Sequence, residues 1–319
     1  MSSHVLVTGG AGFIGSHLTR RLLGRGDRVT VLDEFNDYYD PAIKRANVAP
    51  LVGRDDYRLV EGDIRDADRV DLLFREGAFD GVVHLAARAG VRPSLAEPIL
   101  YEEVNCIGTL NLLEAARHHG PEVFIFGSSS SVYGINEKVP FSEEDEVNQP
   151  ISPYATTKRA GELLCYNYHH LYGLKTACLR FFTVYGPSQR PEMAIHKFTD
   201  LLAAGRPITM YGDGASRRDY TYVDDIVDGI VASLDAAFGF EIFNLGGADT
   251  TSLADLIQWI AAELEVEPSI EYLPDQPGDV PLTYADVSKA NRLLGYAPKV
   301  PIREGLSRFV EWYRHNSSS

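Results

Sequence analysis

Eight residues near the start of the chain constrain its fold more than any other feature: Thr8-Gly9-Gly10-Ala11-Gly12-Phe13-Ile14-Gly15. Ahead of them, residues 4–8 (HVLVT) form a short apolar run with the look of a buried strand. Behind them, residues 13–23 place Ile14, Leu18, Leu22 and Leu23 on one helical face. Gly9, Gly12 and Gly15 therefore fall at G-x-x-G-x-x-G spacing in a strand-to-helix turn. The first glycine permits the tight turn, the second lets a pyrophosphate approach the backbone, and the third lets the helix lie close to the strand. The helix N-terminus offers free N–H groups and partial positive charge to the phosphates. A glycine-rich turn alone is weak evidence, but here an acid follows about 18 residues on, at Asp33, where the next apolar run (residues 28–32, RVTVL) ends. A carboxylate there accepts hydrogen bonds from adenosine ribose hydroxyls and repels a 2′-phosphate, which favours NAD over NADP. The plainer reading makes Asp33 a turn residue at a strand end.

The alternation continues. Residues 57–60 and 81–85 (GVVHL) and 122–126 (EVFIF) read as strands, residues 66–76 as a helix, and residues 98–119 as one long helix with Leu110, Leu113 and Ala116 on a common face. Strands alternating with helices imply βαβ units and right-handed crossovers. The fold class expected is therefore α/β, a Rossmann-like doubly wound parallel sheet. After about Arg180 the alternation stops and proline and glycine become frequent. We expect residues 1–180 to form the dinucleotide-binding domain and residues 181–319 mainly a smaller substrate lobe, with some segments returning to the first domain. A chain of 319 residues with 45% hydrophobic content is long enough for both.

Composition narrows the partners. The formal net charge of −15 repels nucleic acid and anionic membranes, so neither is expected. No apolar run approaches the roughly 18 residues that cross a bilayer, and no basic, apolar leader opens the sequence. Three cysteines, Cys106, Cys165 and Cys178, form no C-x-x-C pair. They read as buried thiols in a reducing cytoplasm.

Other residues in this half bear on cofactor chemistry. Asp63 and Ile64 follow the third strand, where they can reach an adenine. Leu85-Ala86-Ala87-Arg88 follows the fourth, where small residues admit a cofactor. Asn105 lies on the long helix, either as a further contact or as a buried polar group satisfied by backbone. Tyr154-Ala155-Thr156-Thr157-Lys158 is Y-x-x-x-K in a helix that Pro153 can start. The i,i+4 spacing puts phenol and ammonium on one face. A lysine beside a tyrosine favours phenolate and lets it act as a base near neutral pH, whereas a free tyrosine titrates near 10. Ser128-Ser129-Ser130-Ser131 follows the fifth strand, where a hydroxyl can hold a substrate oxygen beside Tyr154.

With these residues in order, the chain resembles the extended short-chain dehydrogenase/reductase family, in its nucleotide-sugar epimerase branch, from Val5 to about Trp312. Further marks are residues 218–225 (RDYTYVDD), 244–247 (NLGG) and 277–279 (PGD). The resemblance implies tightly bound NAD recycled in place, with Gly9, Gly12, Phe13, Ile14, Gly15, Asp33 and Asn36 among the residues that hold it. It implies Tyr154 as the base, Lys158 on the nicotinamide ribose tuning Tyr154, and Ser129 hydrogen-bonded to the sugar oxygen. Members of the family are commonly homodimers through a four-helix bundle, for which residues 98–119 and 153–172 are the candidate helices.

The serine loop separates the reactions of the branch. Related 4,6-dehydratases carry Asp-Glu where this chain has Ser130 and Ser131, and UDP-glucuronate decarboxylases carry Glu at the position of Ser131. What remains is oxidation and reduction at C4, which is 4-epimerisation of a UDP-sugar. Residues 35–41 (FNDYYDP), 89–92 (AGVR), 180–187 (RFFTVYGP), 190–194 (RPEMA) and 276–280 (QPGDV) resemble the loops of UDP-glucuronate 4-epimerases. Thr183 and Gln276 also depart from the UDP-glucose enzymes, which carry Asn and often Arg there. The expected reaction is UDP-glucuronate to UDP-galacturonate. Thr183, Ser130 and Arg190 are the candidates for the sugar carboxylate, since a guanidinium matches it in two parallel hydrogen bonds. Arg190 reads equally as a loop cation or a diphosphate contact. Arg218 is placed near the diphosphate by family position, Gln276 stands where many relatives carry Arg near it, and Asp279 and Arg88 are further candidates on the substrate side. Phe198, Met210 and Tyr211 are candidates for the uridine pocket, although such spacing usually means core. Alternatives are a UDP-glucose 4-epimerase, a UDP-glucuronate decarboxylase, and, from another class, a nonenzymatic NAD-binding redox sensor. Asp224-Asp225 read as a helix N-terminus and not a metal pair, and no metal is expected.

Overall fold

The computed structural model describes residues 2–236, 238–274 and 281–316; Gln276 and Asp279 lie outside the described residues. The chain runs β1 (His4–Thr8), α1 (Phe13–Arg25), β2 (Arg28–Asp33), α2 (Pro41–Val48), β3 (Tyr57–Glu61), α3 (Ala67–Gly77), β4 (Gly81–His84), α4 (Val91–Ala96), α5 (Pro98–Glu102), α6 (Gly108–His119), β5 (Val123–Ser129), α7 (Pro153–Tyr172) and β6 (Lys175–Phe181). It continues with β7 (Thr183–Tyr185), α8 (Ala194–Ala203), β8 (Ile208–Tyr211), β9 (Arg217–Arg218), β10 (Tyr220–Tyr222), α9 (Val223–Asp235), β11 (Phe240–Leu245), β12 (Thr251–Ser252), α10 (Leu253–Leu264), β13 (Ile270–Leu273), α11 (Ser288–Leu294) and α12 (Ile302–Asn316).

Seven strands form one sheet in the order β11-β6-β5-β4-β1-β2-β3, and each neighbouring pair is parallel. The doubly wound expectation is met. Strand order reverses at β1, with β2 on one side and β4 on the other. Ligands of such sheets sit beyond the carboxyl ends of the strands at this switch point. Thr8 and His84 are opposite one another there, so the glycine turn and the segment from Leu85 leave the sheet side by side.

Side chains alternate between two cores, as the strand period requires. Val5, Val7, Val29, Val31, Val83, Ile125 and Leu179 face α1 and α9, whereas Leu6, Leu32, Val82, Phe124 and Phe126 face α3, α6 and α7. Helix α1 ends as its sequence suggests, with Gly26 left-handed at φ 92° and its N–H turned back to Leu22 and Leu23. Helix α7 opens at Ser152, whose Oγ accepts from the Ala155 N–H at 3.1 Å, with Pro153 in the first turn. Asp224 and Asp225 lie in the first turn of α9.

Two details differ from the pattern in the sequence. The helix expected over residues 98–119 is interrupted by a π-turn at Glu103–Ile107, where one turn gains a residue. The strand expected over residues 122–126 runs on to Ser129, fully buried along its length, so the serine run begins inside the sheet. Among the described residues, no helix is long and apolar enough to cross a membrane.

Candidate active site

A cavity of about 370 Å³ opens at the switch point. Of the sequence candidates, its wall gathers Gly9, Gly12, Phe13, Ile14, Gly15, Asp33, Asn36, Ile64, Leu85, Ala86, Ala87, Arg88, Ser129, Ser130, Tyr154, Lys158, Thr183 and Arg190.

At one end lies the glycine turn. A Cβ on Gly9 would stand 2.7 Å from the Ala86 nitrogen, and one on Gly15 would stand 2.2 Å from the Gly9 carbonyl oxygen, so neither tolerates a side chain. Gly9 also takes φ +70°, which glycine adopts without strain. Helix α1 has no side-chain cap and no acid in its first turn, which leaves its positive end open to an anion. The buried Asp33 carboxylate accepts from Ala11 N at 3.1 Å and Phe35 N at 3.0 Å. Burial raises its pKa, opposed by those N–H groups and by Lys44.

At the other end, Tyr154 and Lys158 point from one face of α7. The Lys158 ammonium is buried, donates to the Gly127 carbonyl at 2.7 Å, and lies 5.9 Å from the Tyr154 ring centroid. Burial lowers Lys158 to about 8, with Cys106, Cys165 and Glu162 opposing. Tyr154 corrects an expectation. Burial raises its pKa, and the groups that oppose are the nearby Ser129 hydroxyl and the Arg190 charge. Lys158 is not among the groups that oppose desolvation there.

Two buried networks hold these groups. In the first, Ser128 Oγ donates to Glu162 Oε1 at 2.7 Å, and Arg180 meets the same carboxylate through Nε at 2.8 Å and Nη2 at 2.9 Å. Arg180 Nη1 also donates to the Tyr133 hydroxyl at 3.0 Å, and that hydroxyl donates to Asn244 Oδ1 at 2.7 Å. Burial raises Glu162, but Arg180, Ser128 and Arg159 outweigh it and hold the carboxyl below its ordinary value. The network ties α7 to β5, β6 and β11.

The second network centres on His84. Thr109 Oγ1 donates to the Asn105 carbonyl at 2.6 Å, so its 2.8 Å contact with His84 Nε2 is one it accepts. The imidazole proton is thereby assigned to Nε2, and Nδ1 accepts from Thr8 Oγ1 at 2.8 Å. Thr8 Oγ1 in turn accepts from the Ala86 N–H at 3.2 Å. Burial pushes His84 down to about 3, helped by the Lys158 charge, so the ring is neutral.

Asn105 belongs to this network and is not among the residues of the cavity wall. Its Oδ1 accepts from Arg88 N at 2.8 Å, and its Nδ2 donates to Arg88 O at 2.9 Å and Thr157 Oγ1 at 3.0 Å. With its side chain occupied, Asn105 shapes the Arg88 segment from behind the wall.

Other candidates also fall outside the wall. The Asp63 carboxylate is held by Arg65 at 2.6 Å. Phe198 and Met210, 8% and 2% exposed, belong to the apolar core, which shares the spacing of a pocket face. Tyr211 closes β8 with the Arg92 guanidinium 5.8 Å from its ring, and Arg218 lies on β9, donating to the Arg217 carbonyl at 2.9 Å. Conversely, Tyr38, Tyr39 and Lys44 line the cavity without having been singled out. The signal was their place in the aromatic loop directly after Asp33.

The sequence profile of the NAD dependent epimerase/dehydratase family matches residues 5–246. UDP-glucuronate 4-epimerase 4 of Arabidopsis thaliana is 44% identical over 327 aligned residues, covering 97% of this chain and 75% of its own. Two solved structures superpose closely. The UDP-glucuronic acid 4-epimerase of Bacillus cereus, in complex with UDP-glucuronic acid and NAD, gives a TM-score of 0.92 at 36% identity, covering 98% of this chain and 99% of its own. The UDP-glucose 4-epimerase of Thermotoga maritima, with UDP-glucose, gives 0.91 at 34% identity, with coverage of 98% and 99%.

Proposed function

Because the chain belongs to the NAD dependent epimerase/dehydratase family, we propose that it inverts C4 of a UDP-sugar, interconverting UDP-glucuronate and UDP-galacturonate with NAD retained throughout. One observation carries the choice of reaction. Among the described residues of the cavity wall, the only carboxylates are Asp33 at the end of β2 and Glu34 just after it, while Ser129, Ser130 and Ser131 line the same cavity as Tyr154. A ketone formed beside Tyr154 has no neighbouring acid to drive elimination of water.

The cavity fits NAD. Gly9, Gly12, Phe13, Ile14 and Gly15 form a cradle that a Cβ would fill, for the pyrophosphate. Asp33 and Asn36 suit the adenosine ribose, Ile64 the adenine, and Leu85, Ala86 and Ala87 the opposite wall. Tyr154 and Lys158 suit the nicotinamide ribose. Bound NAD supplies a positively charged ring that takes the C4 hydride and later returns it. Ser129 holds the O4 oxygen against Tyr154, which accepts the 4-OH proton and gives it back after the sugar has presented its other face. The Lys158 charge favours the phenolate during that transfer.

We assign the substrate side to residues 181–319 apart from β11 and α9, which lie on the main sheet. There Arg190, Thr183 and Ser130 are placed to meet the sugar carboxylate. A 4-keto uronate is a β-keto acid, and it loses carbon dioxide when its carboxyl bond stands perpendicular to the ketone plane. A guanidinium that holds the carboxylate out of that geometry preserves the epimer. The test is incubation with UDP-glucuronate followed by chromatography of the nucleotide sugars. UDP-galacturonate without UDP-pentose is expected. Comparable kcat/KM on UDP-glucose would move the assignment to the hexose series, and release of carbon dioxide to decarboxylation. Bound NAD with no turnover would favour the redox sensor. Three unpaired thiols suit a reducing cytoplasm.

A homodimer completes the reading. Leu95 and Ile99 on α4 and α5 are 63% and 74% exposed, and Leu163 and Tyr166 on α7 are 53% and 50% exposed. Two helical segments with exposed apolar faces suit a two-fold four-helix bundle. Light scattering should give twice the chain mass, and Ile99→Asp with Leu163→Asp should reduce it to one. A monomeric unmodified chain would remove this proposal.

A further inference from the structure

The loop after β2 reaches across the cavity to Arg190, and its chemistry is unexplained by cofactor binding. The Arg190 guanidinium carbon lies 5.6 Å from the centroid of the Tyr38 ring, and Arg190 Nε lies 2.9 Å from Glu192 Oε1. Ring and carboxylate both lie beside the guanidinium. Neither Nη group hydrogen-bonds to another described residue, and both Arg190 and Tyr38 line the cavity.

Tyr38 is itself held. Its ring lies near Tyr101, whose hydroxyl donates to the Ala89 carbonyl at 2.6 Å. Tyr101 is fully buried and meets the Tyr154 ring edge-on, 6.3 Å between centroids. A Cβ on Gly90 would fall 2.9 Å from the Tyr38 hydroxyl, so that glycine makes the room. Asn36 Oδ1 accepts from Tyr38 N at 3.2 Å and from Lys44 Nζ at 2.9 Å, which stiffens the loop on its other side.

We propose that Tyr38 is a specificity-determining positioning residue: its ring is the platform that orients Arg190 for two parallel hydrogen bonds to the sugar carboxylate. The inference rests on the reading that Arg190 meets that carboxylate. A guanidinium must lie edge-on and nearly coplanar with a carboxylate to bind it through both nitrogens. An aromatic face beneath it supplies that constraint while leaving the far edge free.

The test uses NAD-loaded enzyme in a Tyr154→Phe background, so that binding is read without turnover. Dissociation constants for UDP-glucuronate, UDP-glucose and UDP are measured by calorimetry, with NAD content checked for each variant. Tyr38→Leu is expected to weaken UDP-glucuronate by about tenfold and to leave UDP-glucose and UDP within about twofold. Tyr38→Phe, which keeps the ring, should retain most of the preference, a rescue that a merely structural role does not predict. Tyr38→Met serves the same comparison if the leucine variant fails to fold. Arg190→Leu separates the two layers. Equal weakening of all three ligands by Arg190→Leu overturns the carboxylate reading and the platform with it. Selective loss in Arg190→Leu, with a wild-type preference in Tyr38→Leu, overturns the platform alone.

Discussion

Tyr154→Phe should lower kcat by about a thousandfold while NAD content and nucleotide-sugar affinity stay near those of the unmodified enzyme. The substitution removes one oxygen and keeps the ring, so the edge contact with Tyr101 and the Lys158 bond to Gly127 survive. Lost is the group that exchanges a proton with O4. The Ser129, Ser130 and Ser131 hydroxyls on the same cavity wall are poor bases at neutral pH. Burial holds the Tyr154 phenol protonated in the isolated chain, so its ionisation belongs to the loaded enzyme, where hydride leaves C4 as the proton leaves O4. Rapid-quench single turnovers on NAD-loaded protein would measure the step. Retention of a tenth or more of the rate would remove Tyr154 from the role of base.

Glu162→Ala should destabilise the fold by about 3–5 kcal/mol, because it leaves the Arg180 guanidinium charged and unpaired in the interior. The two side chains are 0% and 1% exposed, and three groups besides Arg159 converge on or beside the carboxylate: Ser128, Arg180 and, through Arg180, Tyr133. Removing the acid therefore strands several donors at once. Denaturant unfolding of the NAD-free and NAD-loaded forms would report the loss, as would a fall in Tm on the order of 10 °C. The double variant Glu162→Leu, Arg180→Met should recover much of that loss, since apolar replacement of a whole buried pair is often neutral. A single variant within about 1 kcal/mol of wild type would mean that water or a rearranged partner reaches Arg180.

The fold was legible because its signals are local. A strand, a glycine turn and an amphipathic helix lie within residues 4–25, and the same period repeats through β5. Ser152-Pro153 marks the start of α7 through ordinary capping chemistry, and that start sets Tyr154 and Lys158 on one face. What was not legible depended on partners distant in sequence. The extra residue of the π-turn leaves no mark in an apolar pattern that still reads as helical. Phe198 and Met210 show how a pocket face and a core face carry the same spacing, which only packing distinguishes. Asn105 was visible as a buried polar group, but its three bonds go to residues 17 and 52 positions away. The Tyr38 loop announces its aromatic character, whereas its meeting with Arg190 depends on how the chain returns from β7.

The one-way run of hydrogen bonds through Thr8, His84, Thr109 and Asn105 has a thermodynamic consequence. Every proton along it has a single resting place, from the Ala86 amide to the Asn105 carbonyl. The segment that faces the dinucleotide is thus ordered during folding, and little freedom is left for a ligand to remove. Affinity that a floppier wall would spend on ordering itself is available for contacts instead.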